Sequence, residues 1–168
     1  MGAWRCLAYM ALWGLLCFPI GRLFRRLDLR WDRPPFRTAA WERDGAVYER
    51  AGIRLWKDIV PDVSRLLPRI VPRKAISRRP TPSVLEDMLS ETCVAELIHW
   101  MLTLTGLALV ALWPGAGGIA AYIVYVVLGN LPFIMIQRYN RPRFARMLTA
   151  AQARERRRVN AGSDTFEQ

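Results

Sequence analysis

At 168 residues the chain has the length of one domain, and 52% of it is hydrophobic although its net charge is +11. The apolar and basic residues are segregated into blocks rather than interspersed at short period, which argues against an ordinary soluble domain and for a membrane protein with basic flanks. Nucleic acid is disfavoured as a partner, because the arginines track the ends of the apolar blocks and form no recognition helix.

The predicted fold class is an all-α membrane protein, a single membrane domain with about three transmembrane helices and interfacial amphipathic helices on the cytoplasmic side. The first apolar block, residues 6–20 ("CLAYMALWGLLCFPI"), follows Arg5. It is read as an uncleaved transmembrane helix, since "FPIGRLFRRLDLR" turns basic at once and offers no small-x-small cleavage site. A cleaved signal peptide is the alternative.

Residues 22–90 form a long cytoplasmic segment. It holds seven of the eleven prolines, so it cannot be one continuous helix. Phe36, Trp41, Tyr48, Ile53, Leu55, Trp56 and Ile59, with a turn signal at Asp44-Gly45, predict short amphipathic pieces lying in the membrane interface. Trp41, Trp56 and Tyr48 are expected as interface anchors, Lys57-Asp58 as a surface pair, and "RLLPRIVPRKAISRRPTP" as a basic linker. The second transmembrane helix is expected over 92–113 and the third over 116–137, joined by the uncharged turn "PGAGG". After Pro142, Phe144, Met147, Leu148 and Ala151 fall at helical spacing opposite arginines, predicting a basic interfacial helix over 142–158 before a polar tail, 159–168. Cys6, Cys17 and Cys93 have neither disulfide nor metal spacing.

Charge orients the chain. Sixteen Lys/Arg lie between Arg22 and Arg79, eight more between Arg138 and Arg158, and none in "PGAGG". The positive-inside rule places both basic stretches in the cytoplasm, with the N-terminus outside and the C-terminus cytoplasmic. Arginines at these boundaries suit anionic lipid headgroups, at about 1 kcal/mol each.

The candidate site is "ETCVAELIHW", residues 91–100, which sets the only histidine and two carboxylates at the mouth of an uncharged run. On a helix Glu96 falls about 40° from Thr92, His99 about 20° to the other side and Thr103 about 20° away, so the four make one polar stripe. Glu91 lies at its edge, about 80° from His99. In the third block Pro132 removes a backbone donor and crowds the carbonyl of Leu128, predicting a break beside Asn130. If the helix continues, Asn130, Gln137 and Arg141 share a face, with Gln137 about 20° to one side of Asn130 and Arg141 about 20° to the other. The short "PGAGG" turn makes the two helices antiparallel, bringing Glu91, Glu96 and His99 level with Gln137, Arg138, Asn140 and Arg141. An acid–base pair opposite such donors suits a reaction on an anionic cosubstrate. Three other readings remain open: a headgroup-reaching or packing pair, a stripe that docks a partner helix in a non-enzymatic subunit, and a metal site from Glu91, Glu96 and His99, for which no second histidine exists.

"ETCVAELIHW", the Asn-x-Pro at Asn130–Pro132 and "QRYNRPR" resemble the motifs of the glycosyl-diaponeurosporenoate acyltransferase family, small bacterial membrane proteins of staphyloxanthin-type carotenoid biosynthesis. The segments Phe36–Tyr48 and Ile53–Asp58 are similar to that family's cytoplasmic part, so the likeness covers residues 36–148. At Val94 the family can carry a basic residue, which this chain lacks. The resemblance implies transfer of a fatty acyl group from acyl-CoA to a hydroxyl of a glycosylated isoprenoid, carotenoid or related glycolipid, at the bacterial cell membrane. On that reading His99 is the general base, Glu96 orients its ring, and Glu91 completes the catalytic group. Arg138 and Arg141 would hold CoA phosphates, Asn130 or Gln137 would donate to the oxyanion, and Asn140 and Trp100 would complete the substrate-binding set. Acyl-CoA, a membrane lipid acceptor and anionic headgroups are then the partners. No metal or other cofactor is expected.

Overall fold

The structure, a computed structural model, describes residues 1–60 and 80–163, and all of its regular secondary structure is helical. Helix α1 spans Gly2–Phe24. A 3-10 helix (Ala40–Gly45) leads into α2 (Ala46–Arg50) and α3 (Ile53–Trp56). Helix α4 spans Pro82–Thr105, α5 Ala108–Leu112, α6 Ala116–Gly129 and α7 Leu131–Ser163. Three stretches, Gly2–Phe24, Pro82–Leu112 and Ala116–Ala161, are long and apolar enough to cross a membrane.

Helix α4 starts where Thr81 is extended and Pro82 occupies the first turn, the position that tolerates a missing N–H. It runs antiparallel to α7 and packs along it. Leu85 and Leu89 on α4 meet Leu148 and Ala151 on α7, with Trp31, Met88 and Phe144 around them. This contact explains why the second helix begins ten residues before the expected boundary at 92. Its first three turns are apolar on one face because they serve protein packing, where a hydropathy reading sees only the uncharged run that follows.

The predicted break at Asn130 is present. Asn130 leaves the helical region (φ −125°, ψ −49°), and α7 restarts when the Ile134 amide donates to the Asn130 carbonyl at 3.1 Å. Pro132 sits in the first turn of α7, where its missing donor costs least. The expected separation of a third transmembrane helix (116–137) from a basic interfacial helix (142–158) is not what forms. Helix α7 runs unbroken through Pro142 and into the expected polar tail as far as Ser163. A helix-interior proline costs about 3 kcal/mol. Here packing on both sides of it holds the helix together: Tyr139 against Tyr48 and Ile53, and Leu148 with Ala151 against α4.

The cytoplasmic segment also departs from expectation. Phe36, Tyr48 and Ile53 are buried against the helices, so Tyr48 is a core residue and not an interface anchor. Trp41 is exposed and Trp56 half-buried. Lys57 and Asp58 do form a surface pair, at 3.6 Å. Most of the expected basic linker lies outside the described residues. Helix α1 lies along α4 with its N-terminal end toward α5, tied by a hydrogen bond of 2.6 Å from the Tyr9 hydroxyl to the Thr105 carbonyl. At Gly21 an added Cβ would stand 3.1 Å from Ile98 Cδ1, so the two helices touch closely there. The outer face of α1 (Trp4, Leu7, Leu12, Leu15, Leu23) is exposed and apolar, the pattern of a helix facing lipid.

Candidate active site

In an α-helix the side chains lean toward the N-terminus. Helices α4 and α7 are antiparallel, so Glu96 leans one way along the bundle while Arg138 and Arg141 lean the other, and they meet. Arg141 Nη2 donates to Glu96 Oε2 and Arg138 Nη1 to Glu96 Oε1, each at 2.6 Å. Arg138 turns its Nε and Nη2 to the second carboxylate, Glu42, at 2.6 and 3.0 Å. Arg141, only 1% exposed, spends its other donors on the Thr92 hydroxyl, the Thr92 carbonyl and the Phe36 carbonyl, at 3.0, 3.2 and 2.6 Å. Two buried carboxylates and two guanidinium groups thus balance in charge and are fully hydrogen-bonded, the condition under which buried ions are tolerated.

Glu42 reaches this network from the 3-10 helix. Arg43 and Asp44 take left-handed conformations (φ 48° and 53°), and Gly45 follows at φ 93° against the Tyr139 carbonyl, folding the "WERDG" segment onto α7. Glu42 accepts from the Ala39 amide and the Tyr48 hydroxyl, both at 2.5 Å. Burial alone would raise its pKa, but Arg138, the Tyr48 hydroxyl and the Ala39 amide outweigh burial and hold the carboxyl below its ordinary value. Burial and the Glu42 carboxylate push the Tyr48 phenol up, so it stays a donor. A second, outer clamp joins the same elements: Glu49 pairs with Arg143 and, at 2.6 Å, with Arg54.

His99 stands one turn beyond Glu96 and apart from the ion network. Its Nδ1 lies 3.0 Å from Asn130 Oδ1, and its ring stacks on Phe133 with centroids 4.5 Å apart and planes 9° from parallel. Asn130 is wholly buried, and its Nδ2 donates to the Tyr125 carbonyl at 3.0 Å. The helix break is what makes this possible, since it turns the Asn130 side chain across to α4. The expectation that Glu96 orients His99 is therefore corrected: Asn130 holds the ring, and Glu96 holds the arginines. Arg138 and Arg141, expected to receive phosphates, have their donors on Glu42, Glu96, Thr92 and the Phe36 and Pro35 carbonyls in this structure. The Trp100 indole donates to Glu96 Oε1 at 3.3 Å and is otherwise 45% exposed. Gln137, Asn140 and Glu91 are half-buried on their helices.

Of the three residues of the metal reading, Glu96 is committed elsewhere. Both oxygens of Glu96 face guanidinium groups, and among the described residues no three His, Cys, Asp or Glu side chains are grouped to hold an ion. Of the residues that build the site, Glu42 has no role in the sequence reading, and Tyr48 is expected there only as an interface anchor. The Asp-Gly turn was the available signal, since it returns the segment to the helices.

The glycosyl-4,4'-diaponeurosporenoate acyltransferase family model matches residues 32–150, more than half of the chain. The chain belongs to this family. It is an acyltransferase, and Glu42, Glu96, His99, Asn130, Arg138 and Arg141 all fall within the matched span, whereas α1 lies before it. The chain is similar to the glycosyl-4,4'-diaponeurosporenoate acyltransferase of Staphylococcus aureus strain N315, 29% identical over 151 residues that cover 86% of this chain and 88% of the relative. Relatives of the same description from strains Newman and bovine RF122 are 29% and 28% identical over 142 and 151 residues, covering 81% and 86% of this chain and 83% and 88% of the relatives. No solved structure matches the chain.

Proposed function

We propose that this acyltransferase moves a fatty acyl group from acyl-CoA to a hydroxyl of a glycosylated carotenoid or a related glycosylated isoprenoid, with Nε2 of His99 as general base. The family membership supports the acyl transfer and the class of acceptor. The His99–Asn130 contact carries the assignment of the base. Because Asn130 Nδ2 is spent on the Tyr125 carbonyl, its Oδ1 faces the imidazole as an acceptor, so His99 Nδ1 must carry the proton. The Nε2 lone pair is then free, and among the described residues no hydrogen bond uses it. Stacking on Phe133 fixes the ring plane.

The reaction follows from that tautomer. Nε2 takes the proton of the acceptor hydroxyl as its oxygen attacks the thioester carbonyl. The C–S bond then breaks, and the departing CoA thiolate recovers the proton from the imidazolium. With the Asn130 amide committed, Gln137 is the remaining amide of the pair for the developing oxyanion. The ion network positions the site: it pins α4 to α7 one turn from His99 and so keeps His99 against Asn130. The basic stretches flanking the candidate spans support a cytoplasmic face for the donor and an external "PGAGG" turn.

The test is acyl transfer by purified His99→Ala protein that inserts and melts like the unaltered chain. A placed general base contributes about 10²–10⁴-fold, so turnover should drop by that much. Turnover near the unaltered rate would remove His99 from the role.

A further inference from the structure

Arg138 and Arg141 are spent on carboxylates, which leaves the phosphates of an acyl-CoA without their expected seat. One cleft offers another. About 400 Å³ in volume, it opens beside the ion network between the 31–44 segment and α7, and Trp31, Asp32, Arg37, Asp44, Arg141 and Arg146 are among the residues lining it. Ligand sites are commonly about 300–1,000 Å³. Among the described residues neither Arg37 nor Arg146 has a carboxylate partner, in contrast to Arg138, Arg141 and Arg143. Asp32 is already neutralised by Arg30 at 3.1 Å. Among the described residues Asp44, held by the left-handed turn, is the one uncommitted carboxylate on the rim, and Trp31 adds an aromatic wall.

Two free guanidinium groups, one carboxylate and one indole are the chemistry of a phosphorylated nucleoside: the cations take phosphate oxygens, the carboxylate accepts from ribose hydroxyl or adenine amino groups, and the indole packs on the base. We propose that this cleft binds the adenosine-phosphate end of the acyl-CoA donor, with Arg37 and Arg146 on its phosphates. The proposal rests on the acyl-CoA reading given above. It also connects the two parts of the donor. Arg141 lines the cleft and is bonded to Glu96, which stands one helical turn from His99, so the cleft and the base are linked through these two residues.

A phospholipid headgroup offers the same anion, and the experiment separates the two. Unaltered protein and the double variant Arg37→Gln/Arg146→Gln are titrated with CoA in detergent, and co-purified phosphatidylglycerol is counted per chain. The proposal expects CoA affinity to fall at least tenfold in the double variant, with an unchanged melting temperature and unchanged lipid count. Should the double variant melt early, Asp44→Asn serves as the second probe, and it should weaken CoA at least threefold while leaving the affinity for pyrophosphate unchanged. CoA affinity equal in variant and unaltered protein overturns the cleft assignment alone. Loss of bound phosphatidylglycerol with CoA affinity intact identifies a lipid seat and overturns it as well. Failure of the unaltered protein to bind CoA overturns both the cleft and the donor. None of these measurements depends on His99.

Discussion

His99 and Asn130 are thirty-one positions apart, and their meeting depends on a single irregular residue. Asn130 is displaced from both α6 and α7 and can therefore give its amide to Tyr125 and its carbonyl oxygen to the imidazole. Replacing it by Ala should leave the fold in place and free the ring tautomer, lowering kcat about tenfold, the rate equivalent of about 1.4 kcal/mol, as steady-state turnover would register. Both residues were legible in the sequence, one as the only histidine of the chain, the other beside a helix-breaking proline. Their partnership was not. A helical projection gave Glu96 to His99 because it sees neighbours on one helix and cannot see across to another. Gly45 is the other sensitive single position. At φ 93°, with an added Cβ 3.2 Å from Arg143 Nη1 and 3.5 Å from the Tyr139 carbonyl, Ala there is strained twice over. Gly45→Ala should cost about 1–2 kcal/mol in a thermal melt, the penalty of left-handed backbone for an L-residue.

At the scale of elements, the ion network decides how α4, α7 and the 36–56 segment sit together. Removing one member leaves a buried charge without its partner, so Glu96→Ala should destabilise by about 3–5 kcal/mol, measured as the loss in unfolding free energy in detergent. Acid acts on the same network. Glu42 is held below its ordinary carboxyl value, so the stability it contributes is present above that value, about 4.5, and is lost as pH falls through its lowered folded value. The melting temperature of the unaltered protein should therefore fall more steeply on acidification below pH 4.5 than that of Glu42→Gln, which starts lower. The residues of α4 and α7 that build the network were legible because they are polar at apolar depth. Glu42 was not, since its place depends on three successive left-handed residues that fold a separate segment back. For the same reason the length of α7 was misjudged: Pro142 reads locally as a stop, and only the packing of Tyr139, Leu148 and Ala151 explains why the helix passes through it.

For the whole molecule, the three apolar stretches and their order could be read directly, because charge segregation is a property of composition and needs no tertiary information. The same segregation fixes the expected orientation. Single cysteines placed at Gly115 in a background lacking Cys6, Cys17 and Cys93 should label from outside intact cells, and ones at Arg156 only after permeabilisation; the reverse pattern would invert the topology. The account as a whole turns on one claim, that the Nε2 lone pair of His99 accepts the proton of the acceptor hydroxyl. The most direct measurement is kcat/KM for acyl transfer as a function of pH, in unaltered and His99→Ala proteins. The unaltered enzyme should show an acid limb that falls tenfold per pH unit as one group protonates, and the residual rate of the variant should lack that limb. An acid limb that persists unchanged in His99→Ala would assign the proton to another group and contradict the account.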